Sequence, residues 1–373
     1  MKCYLCPNDL TGENISEEHI IPNAIGGYLK SDKLLCRICN SKFGQKADAE
    51  LAKQFAFLCS YLNIDRDRGS IPTLKGGKTK DGKEYHLVNG SKPAFSKPSI
   101  KKIQQEGETL LSVTARNEKE LIQILKGLKR KNPDLDIDKL KERFQWKEDY
   151  VNEKISFNTA VGGDLAFQAI TKIAVNYFLN TKNDRVSISH LIPYLKSEIE
   201  LEIVDHYYPQ SPIYEQNGDE IIHLIHLVGD VKEKTLYCYL ELFSSYSFLV
   251  LLSDNYTEKD FSHSYVYDVL KNETVEKQVN LSLSLEEIQA IRTADASINR
   301  ASLVKNLNRV MEIGNKKQVS QEISNIASKS VDEIMMKYQE ERITKEMLTE
   351  VFEKSVEKYM CFAYRNPQSS SEE

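Results

Sequence analysis

Apolar residues recur along the chain with two different periods, which divide the sequence into helical and strand-rich parts. Between residues 162 and 181 they fall on one stripe at helical spacing, which predicts a buried amphipathic helix. Further helices are predicted over 51–62, 118–131 and 138–149. From 221 to 270, short runs rich in Val, Ile, Leu, Tyr and Phe alternate with polar turns, which is typical of an antiparallel sheet. The predicted fold class is therefore α+β.

Helical spacing returns after residue 280 and continues towards the C-terminus. Ser284-x-x-Glu287 and Ser330-x-x-Glu333 both have the form of a capping box, and each predicts the start of a helix. The final residues, NPQSSSEE, are polar and are expected to be disordered.

The first strand-like run contains two histidines, His223 and His226. Three residues is an odd spacing, which directs two strand side chains to opposite faces of a sheet. A metal site shared by these two histidines is therefore not expected.

The length of the chain and the distribution of its charge indicate how it is organised into domains. A chain of 373 residues is long for one core, and its net charge of −5 is the sum of +6 over residues 1–150 and −11 over the rest. A Gly-, Lys-, Pro- and Ser-rich stretch over 69–104 predicts a basic linker or a pair of short strands. Its lysines suit phosphate docking, but a solvated loop explains them equally well. No signal peptide or membrane span is recognisable, which favours a cytoplasmic protein.

Four of the seven cysteines form two pairs, Cys3-x-x-Cys6 and Cys36-x-x-Cys39. In a cytosolic chain, two such pairs favour a tetrahedral zinc site over disulfide bonds. The zinc would hold together a unit too small to bury a core of its own. We therefore predict a structural Zn²⁺ bound by these four thiolates.

The segment between the two pairs carries the candidate chemistry. It contains Glu17-Glu18-His19-Ile-Ile-Pro, then Gly26-Gly27, then a strand-like Lys-Leu-Leu at 33–35, and Asn40 directly follows the last cysteine. The predicted order is strand, loop, strand, helix. Over residues 3–50 the chain resembles the HNH (ββα-metal) endonuclease family, in its four-cysteine branch with Glu-His-Ile-x-Pro, Gly-Gly and Cys-x-x-Cys-Asn.

The resemblance implies a role for each polar residue of this segment. His19 matches the general base that deprotonates the attacking water, although His19 alone also fits a core or turn position. Glu18 and Asn40 match ligands of a catalytic Mg²⁺ or Mn²⁺; Glu17 is an alternative ligand, and Asn40 also fits a helix cap. The family's middle Asn falls at Ser31 in this chain, which is a departure from the pattern. Which group orients His19 is therefore open, and Asp32, beside Ser31, is a candidate.

The family further implies DNA as the partner, with phosphate contacts from Arg37, Lys42 and Lys46 that equally fit a solvated helix face. The chain resembles bacterial restriction or phage-defence nucleases, with a homodimer or a defence-complex protein as a possible assembly. Two alternatives remain open. One is a zinc-ribbon nucleic-acid-binding protein without catalysis, and the other is a nuclease subunit that a partner activates.

These inferences predict a division into four parts. Residues 1–68 form the zinc-bound nuclease module, and residues 69–104 form the basic linker. Residues 105–275 form an α+β domain for substrate recognition or sensing, and residues 276–373 form a helical C-terminal region with a disordered tail.

Overall fold

The computed structural model places most of the chain in two compact units. It describes residues 1–67, 69–88, 92–105, 108–115, 118–131, 133, 136–137, 151, 153–182, 184–294, 297–338 and 343–365. The first unit joins Met1–Ile71 to Thr159–Asn315, and the second joins Pro72–Asn158 to Lys316–Glu373. The predicted helix over 138–149 and the NPQSSSEE tail lie outside the described residues. The four-part division of the chain stays a prediction.

Helices and antiparallel strands together confirm the α+β class. The strands are β1 Glu18–His19, β2 Lys30–Ser31, β3 Leu74–Lys78, β4 Glu84–Val88, β5 Lys92–Phe95, β6 Ser99–Gln105, β7 Glu108–Thr114, β8 Val204–His206, β9 Ile222–Asp230, β10 Thr235–Leu242, β11 Tyr246–Ser253, β12 Phe261–Asp268 and β13 Glu273–Thr274. The helices are α1 Arg37–Gln45, α2 Ala47–Gln54, α3 Ala56–Tyr61, α4 Glu118–Lys131, α5 Asp164–Lys182, α6 Ile192–Leu195, α7 Leu285–Thr293, α8 Ser297–Tyr338 and α9 Lys345–Arg365. None of the helices in these ranges is long and apolar enough to cross a membrane.

The N-terminal part of the first unit has the predicted order of strand, loop, strand and helix. β1 and β2 pair antiparallel, and α1 begins at Arg37. The second strand lies at Lys30–Ser31, so the prediction of a strand at residues 33–35 was wrong; Leu34 and Leu35 are instead buried in the core. The helix predicted over 51–62 is two helices, since α2 ends and α3 begins around Phe55.

A six-stranded antiparallel sheet in the order β13-β12-β9-β10-β11-β8 forms the centre of the first unit. β9, β10 and β11 are buried along almost their whole length. Strands that are buried to this extent must have other elements packed on both faces of the sheet. α5 packs on strands β8 to β11, and α7 contributes Ile288 to a separate apolar cluster with Tyr237 and Leu249. The predicted sheet is confirmed, because its four runs overlap β9 to β12.

Helix α5 connects the sheet to the N-terminal helices. It is buried over most of its length and contacts α2 as well as the sheet. The predicted apolar stripe, which includes Ile170, Ile173 and Tyr177, is buried. The helix is confirmed, and it brings residues from the middle of the sequence beside the N-terminal segment.

The two histidines of β9 lie in different surroundings, as their spacing predicted. His223 donates from Nε2 to the carbonyl of Ile25 at 2.8 Å and accepts at Nδ1 from the N–H of Phe243. His226 lies 2.8 Å from the hydroxyl of Ser264 instead. They do not share a site.

The second unit contains most of the stretch 69–104, which was predicted as a basic linker or a pair of short strands. This stretch forms strands. β3, β4 and β5 make a three-stranded antiparallel sheet, while β6 and β7 make a hairpin. α4 covers 118–131, as predicted. In the C-terminal part of this unit, Glu333 of α8 forms ion pairs with Lys354 and Lys358 of α9.

Of the two predicted capping boxes, one is confirmed and one is wrong. Ser284 caps α7 in a reciprocal arrangement with Glu287. Ser330, however, lies inside the 42-residue α8, where its hydroxyl donates to the carbonyl of Ile326. A serine that bonds the carbonyl four residues earlier is compatible with a helix interior, so the Ser-x-x-Glu pattern did not mark a boundary there.

Candidate active site and zinc site

Four cysteines from two distant parts of the N-terminal segment meet in one cluster. The Sγ atoms of Cys3, Cys6, Cys36 and Cys39 all lie within 4.8 Å of one another. The Sγ atoms of Cys6 and Cys36 are 3.7 Å apart. Thiolates around a tetrahedral zinc lie about 3.8 Å apart, because the Zn–S bond is about 2.3 Å. The donor set and its spacing therefore fit a structural Zn²⁺.

Backbone hydrogen bonds hold the two cysteine pairs side by side. The N–H of Cys3 donates to the carbonyl of Asn8, which closes the first turn. The N–H of Tyr4, between the first two cysteines, donates to the carbonyl of Leu34 just before the second pair. Cys36 then starts α1 in an extended N-cap conformation. The cluster is thus built into the local backbone.

The Gly26-Gly27 pair returns the chain from β1 to β2. Gly26 has φ of +86° and ends the short turn Asn23–Ile25, a left-handed conformation that glycine adopts without strain. A Cβ on Gly27 would lie 1.8 Å from the carbonyl oxygen of Ile21, so no other residue fits without a backbone shift. Both glycines are needed to bring β2 back beside β1.

One cleft brings the three predicted catalytic residues together. Glu18 and His19 from β1, Asn40 from α1 and Asp48 from α2 line a cleft of about 230 Å³. The side-chain amide of Asn40 donates to the hydroxyl of Ser16 at 2.8 Å, which leaves its carbonyl oxygen as a ligand atom. The cleft therefore combines a carboxylate, an amide and an imidazole, as the sequence predicted.

The carboxylate beside His19 comes from a residue that the sequence did not indicate. His19 Nε2 lies 3.3 Å from Asp67 Oδ2, and Lys30, opposite His19 in the β1–β2 register, lies 2.8 Å from the same oxygen. Asp32, the candidate from the sequence, is exposed. Burial lowers the pKa of His19, Lys30 lowers it further, and Asp67 opposes both. The balance favours the neutral imidazole.

Behind the cleft lies a buried ion cluster centred on Lys172 of α5. Lys172 Nζ lies 2.5 Å from Glu18 Oε1 and 2.6 Å from Asp48 Oδ2, and its side chain is 1% exposed. Burial alone would lower the pKa of Lys172, but the carboxylates of Asp48 and Glu18 outweigh it and raise that pKa. The ammonium therefore stays charged as the partner of both acids.

Asn176, one helical turn after Lys172, extends this cluster. Its amide donates to Glu18 Oε1 at 3.2 Å, and its carbonyl oxygen accepts from the hydroxyl of Tyr4 at 2.8 Å. Neither Lys172 nor Asn176 was predicted from the sequence as a residue of the site. A signal was present, since a lysine and an asparagine four residues apart interrupt an otherwise apolar helix face.

The three predicted phosphate-binding residues all lie on the surface. Arg37, Lys42 and Lys46 are exposed. Lys42 and Lys46 line a depression of about 560 Å³ beside Cys6 and Cys39, which is separate from the cleft that holds His19. These three residues thus lie on or next to α1, the helix that also carries Asn40.

Comparison with known proteins agrees with this geometry over the N-terminal segment. Residues 3–56 match the family model described as HNH endonuclease. No curated protein and no solved structure matches the chain. The matched segment contains the cysteine cluster together with Glu18, His19, Asn40 and Asp48, whereas Asp67, Lys172 and Asn176 lie beyond it. Residues 3–56 thus match the HNH endonuclease family, with four cysteines close together as in a zinc knuckle, and this supports a nuclease function.

Proposed function

We propose that the chain is a metal-dependent endonuclease that hydrolyses phosphodiester bonds in DNA, with His19 as the general base. The observation that carries this proposal is the single cleft lined by His19, Glu18 and Asn40. The cleft lies within the segment that matches the HNH endonuclease family. A base and two oxygen ligands in one place are what metal-assisted hydrolysis of a phosphodiester requires.

The surroundings of His19 suit a general base. When its Nε2–H donates to Asp67 at 3.3 Å, Nδ1 carries the lone pair that accepts a proton from water. Asp67 is itself held by Lys30 and by Asn23, whose side-chain oxygen accepts from the Asp67 N–H at 2.9 Å. The imidazole is therefore oriented by a carboxylate that has its own supports.

Glu18 and Asn40 are the residues that would hold the catalytic cation. A carboxylate and an amide oxygen, completed by water and phosphate oxygens, favour Mg²⁺ or Mn²⁺. When bound, the cation supplies charge stabilisation at the scissile phosphate and the leaving oxygen. In this proposal the four cysteines hold a separate, structural Zn²⁺.

The exposed Arg37, Lys42 and Lys46, which lie on or next to the helix that carries Asn40, are proposed to contact DNA phosphates. Zinc held by four thiolates suits a reducing compartment, so we place the enzyme in the cytoplasm. Its proposed role in restriction or anti-phage defence, alone or with a partner protein, follows from its resemblance to nucleases of that kind.

The direct test incubates the full chain with supercoiled plasmid in Mg²⁺, in Mn²⁺ and in EDTA, beside a single-stranded RNA of similar length. We expect the plasmid to be cut in either cation and left intact in EDTA. Intact plasmid in all conditions, together with a shift of plasmid mobility on a gel, would support the non-catalytic zinc-ribbon alternative. Cleavage of the RNA alone would contradict the proposed DNA substrate.

A further inference from the structure

A second carboxylate, that of Asp48, lines the proposed catalytic cleft. Asp48 Oδ2 lies 2.6 Å from the ammonium of Lys172. Asp48 Oδ1 is buried and has no hydrogen-bond partner among the residues that the structure describes. Native proteins supply buried acceptors with partners, so an orphaned carboxylate oxygen at the wall of a cleft suggests a ligand.

Lys172 contacts Glu18 and Asp48 in the same way. It bonds Oε1 of Glu18 and Oδ2 of Asp48, one oxygen from each carboxylate. The second hydrogen bond to Glu18, from Asn176, also ends on Oε1. Each carboxylate is thus anchored through one oxygen, and its other oxygen is left for a further partner.

The charges in this cluster also favour a cation. Two carboxylates and one ammonium leave one net negative charge, in a place where Glu18 is 3% and Lys172 is 1% exposed. Buried charge is stable when it is paired or coordinates a metal. Carboxylate oxygens from Glu18 and Asp48 and the amide oxygen of Asn40 make an oxygen donor set, which is typical of Mg²⁺ or Mn²⁺ sites.

We propose that Asp48 is a further ligand of the catalytic cation, beside Glu18 and Asn40, and that Lys172 is a positioning residue that holds both carboxylates. This inference rests on the cation site of the proposed function and adds two residues to it. Because Lys172 belongs to α5, the cation site draws on a residue far outside the segment 3–56. The matched segment does not supply the complete site.

The first test measures Mn²⁺ binding to the full chain by electron paramagnetic resonance, which requires no DNA and no cleavage. We expect Asp48→Asn to weaken Mn²⁺ binding at least tenfold. Glu50→Gln, a matched change on the same helix whose acid pairs with Lys53 outside the cleft, should bind Mn²⁺ as the unmodified chain does. Zinc content and circular dichroism show that each variant is folded.

If Asp48→Asn alone does not fold, the double variant Asp48→Asn/Lys172→Gln removes both charges of the pair and is measured instead. Binding within twofold of the unmodified chain, in either folded variant, would overturn Asp48 as a ligand. Failure to bind Mn²⁺ in the unmodified chain would overturn the cation site itself.

Lys172→Met tests the positioning role, because the two possible effects of losing Lys172 change the affinity for Mn²⁺ in opposite directions. Loss of a nearby positive charge would by itself tighten Mn²⁺ binding. If Lys172 positions the two carboxylates, its loss should weaken Mn²⁺ binding at least fivefold in folded, zinc-containing protein. Tighter binding would overturn the positioning role.

Cleavage assays separate this inference from the proposed function. Mn²⁺ binding that depends on Asp48, without any cleavage of DNA, would support the site and contradict the nuclease. DNA cleavage that depends on His19, with Mn²⁺ binding indifferent to Asp48, would support the nuclease and overturn this inference.

Discussion

The polar residues of the cleft differ in how deeply they are buried and in how many contacts hold them. Glu18 is almost fully buried and has bonds from Lys172 and Asn176. His19 is half-buried, and its ring is held by Asp67, which is itself well exposed. Replacing Glu18 would therefore remove one of the two carboxylates that pair with the buried ammonium of Lys172, which should cost stability as well as function. Replacing the partly exposed His19 should leave the fold intact, which makes it the better probe of chemistry.

Another buried histidine makes stability depend on pH. Burial lowers the pKa of His223 to about 4, against about 6.5 in an unfolded chain. Between pH 6.5 and pH 4 the ring of His223 is protonated in the unfolded state but neutral in the folded state. The free energy of unfolding therefore decreases as the pH falls through this range. We expect the free energy of unfolding to be about 2 kcal/mol lower at pH 5 than at pH 7 from this residue alone.

Urea unfolding at the two pH values, for the unmodified chain and for His223→Gln, isolates this contribution. The variant should be less stable at pH 7, because the bonds to Ile25 and Phe243 are lost. Its stability should change less between pH 7 and pH 5 than that of the unmodified chain. An equal change in both proteins would show that His223 is not the group responsible.

Gly27 is predicted to tolerate no side chain. In Gly27→Ala the new Cβ would meet the carbonyl oxygen of Ile21 at 1.8 Å, so the turn before β2 must shift. We expect a loss of at least about 2 kcal/mol in the free energy of unfolding, measured in urea.

Gly44→Ala is the matched control, because a Cβ there meets no atom within 4 Å and the position is inside α1. Alanine is the better helix former, so this variant should gain about 0.5–1 kcal/mol. If both alanine variants were equally stable, the close approach at Gly27 would be refuted.

At the level of elements, local patterns predicted α4, α5 and the central sheet, whereas long-range contacts were not predictable. The two cysteine pairs and the Glu18-His19 segment stand in a short stretch of sequence, so their spacing revealed them. Asp67 follows no motif and reaches His19 only because the chain folds back after α3. Lys172 comes from α5, and its contact with Glu18 spans more than 150 residues. A contact between residues so far apart in the sequence cannot be predicted from the periodicity of the sequence.

The cysteine cluster is an element-level feature that can be tested by removing one ligand. Cys36→Ser takes away one thiolate at the start of α1, so the zinc should be lost or bound much more weakly. We expect about one zinc per chain in the unmodified protein and a clear loss in this variant, with a lower Tm. Cys361→Ser, at an exposed position of α9, serves as the control. Unchanged zinc and Tm in Cys36→Ser would contradict a structural zinc site.

For the whole molecule, the proposal of one active site among the residues that the structure describes has a consequence for assembly. A single cleft with one base cuts one strand at a time, so a double-strand break needs two sites, most simply related by a two-fold axis. α9 offers a candidate surface, because four apolar residues spaced four apart are exposed along it: Leu348, Phe352, Val356 and Met360. We therefore predict a homodimer in which this stripe is buried.

Light scattering at working concentration tests this prediction. The unmodified chain should have the mass of two copies, and Phe352→Glu, which places a charge in the stripe, should have the mass of one. In a plasmid time course the dimer should linearise DNA without long-lived nicked circles, whereas the variant should accumulate them. A monomeric unmodified chain would contradict the dimer and indicate a nicking enzyme.

His19 is proposed as the base of a DNA-cutting site, and the rate of plasmid cleavage in Mg²⁺ depends on that role. His19→Ala is compared with His190→Ala, which removes an exposed histidine elsewhere in the same unit. Both variants should keep their zinc and their Tm. General-base catalysis contributes about 10²–10⁴-fold, so His19→Ala should lose about that factor while His190→Ala cuts at the unmodified rate. Cleavage by His19→Ala within a few-fold of the unmodified chain would show that His19 is not the base.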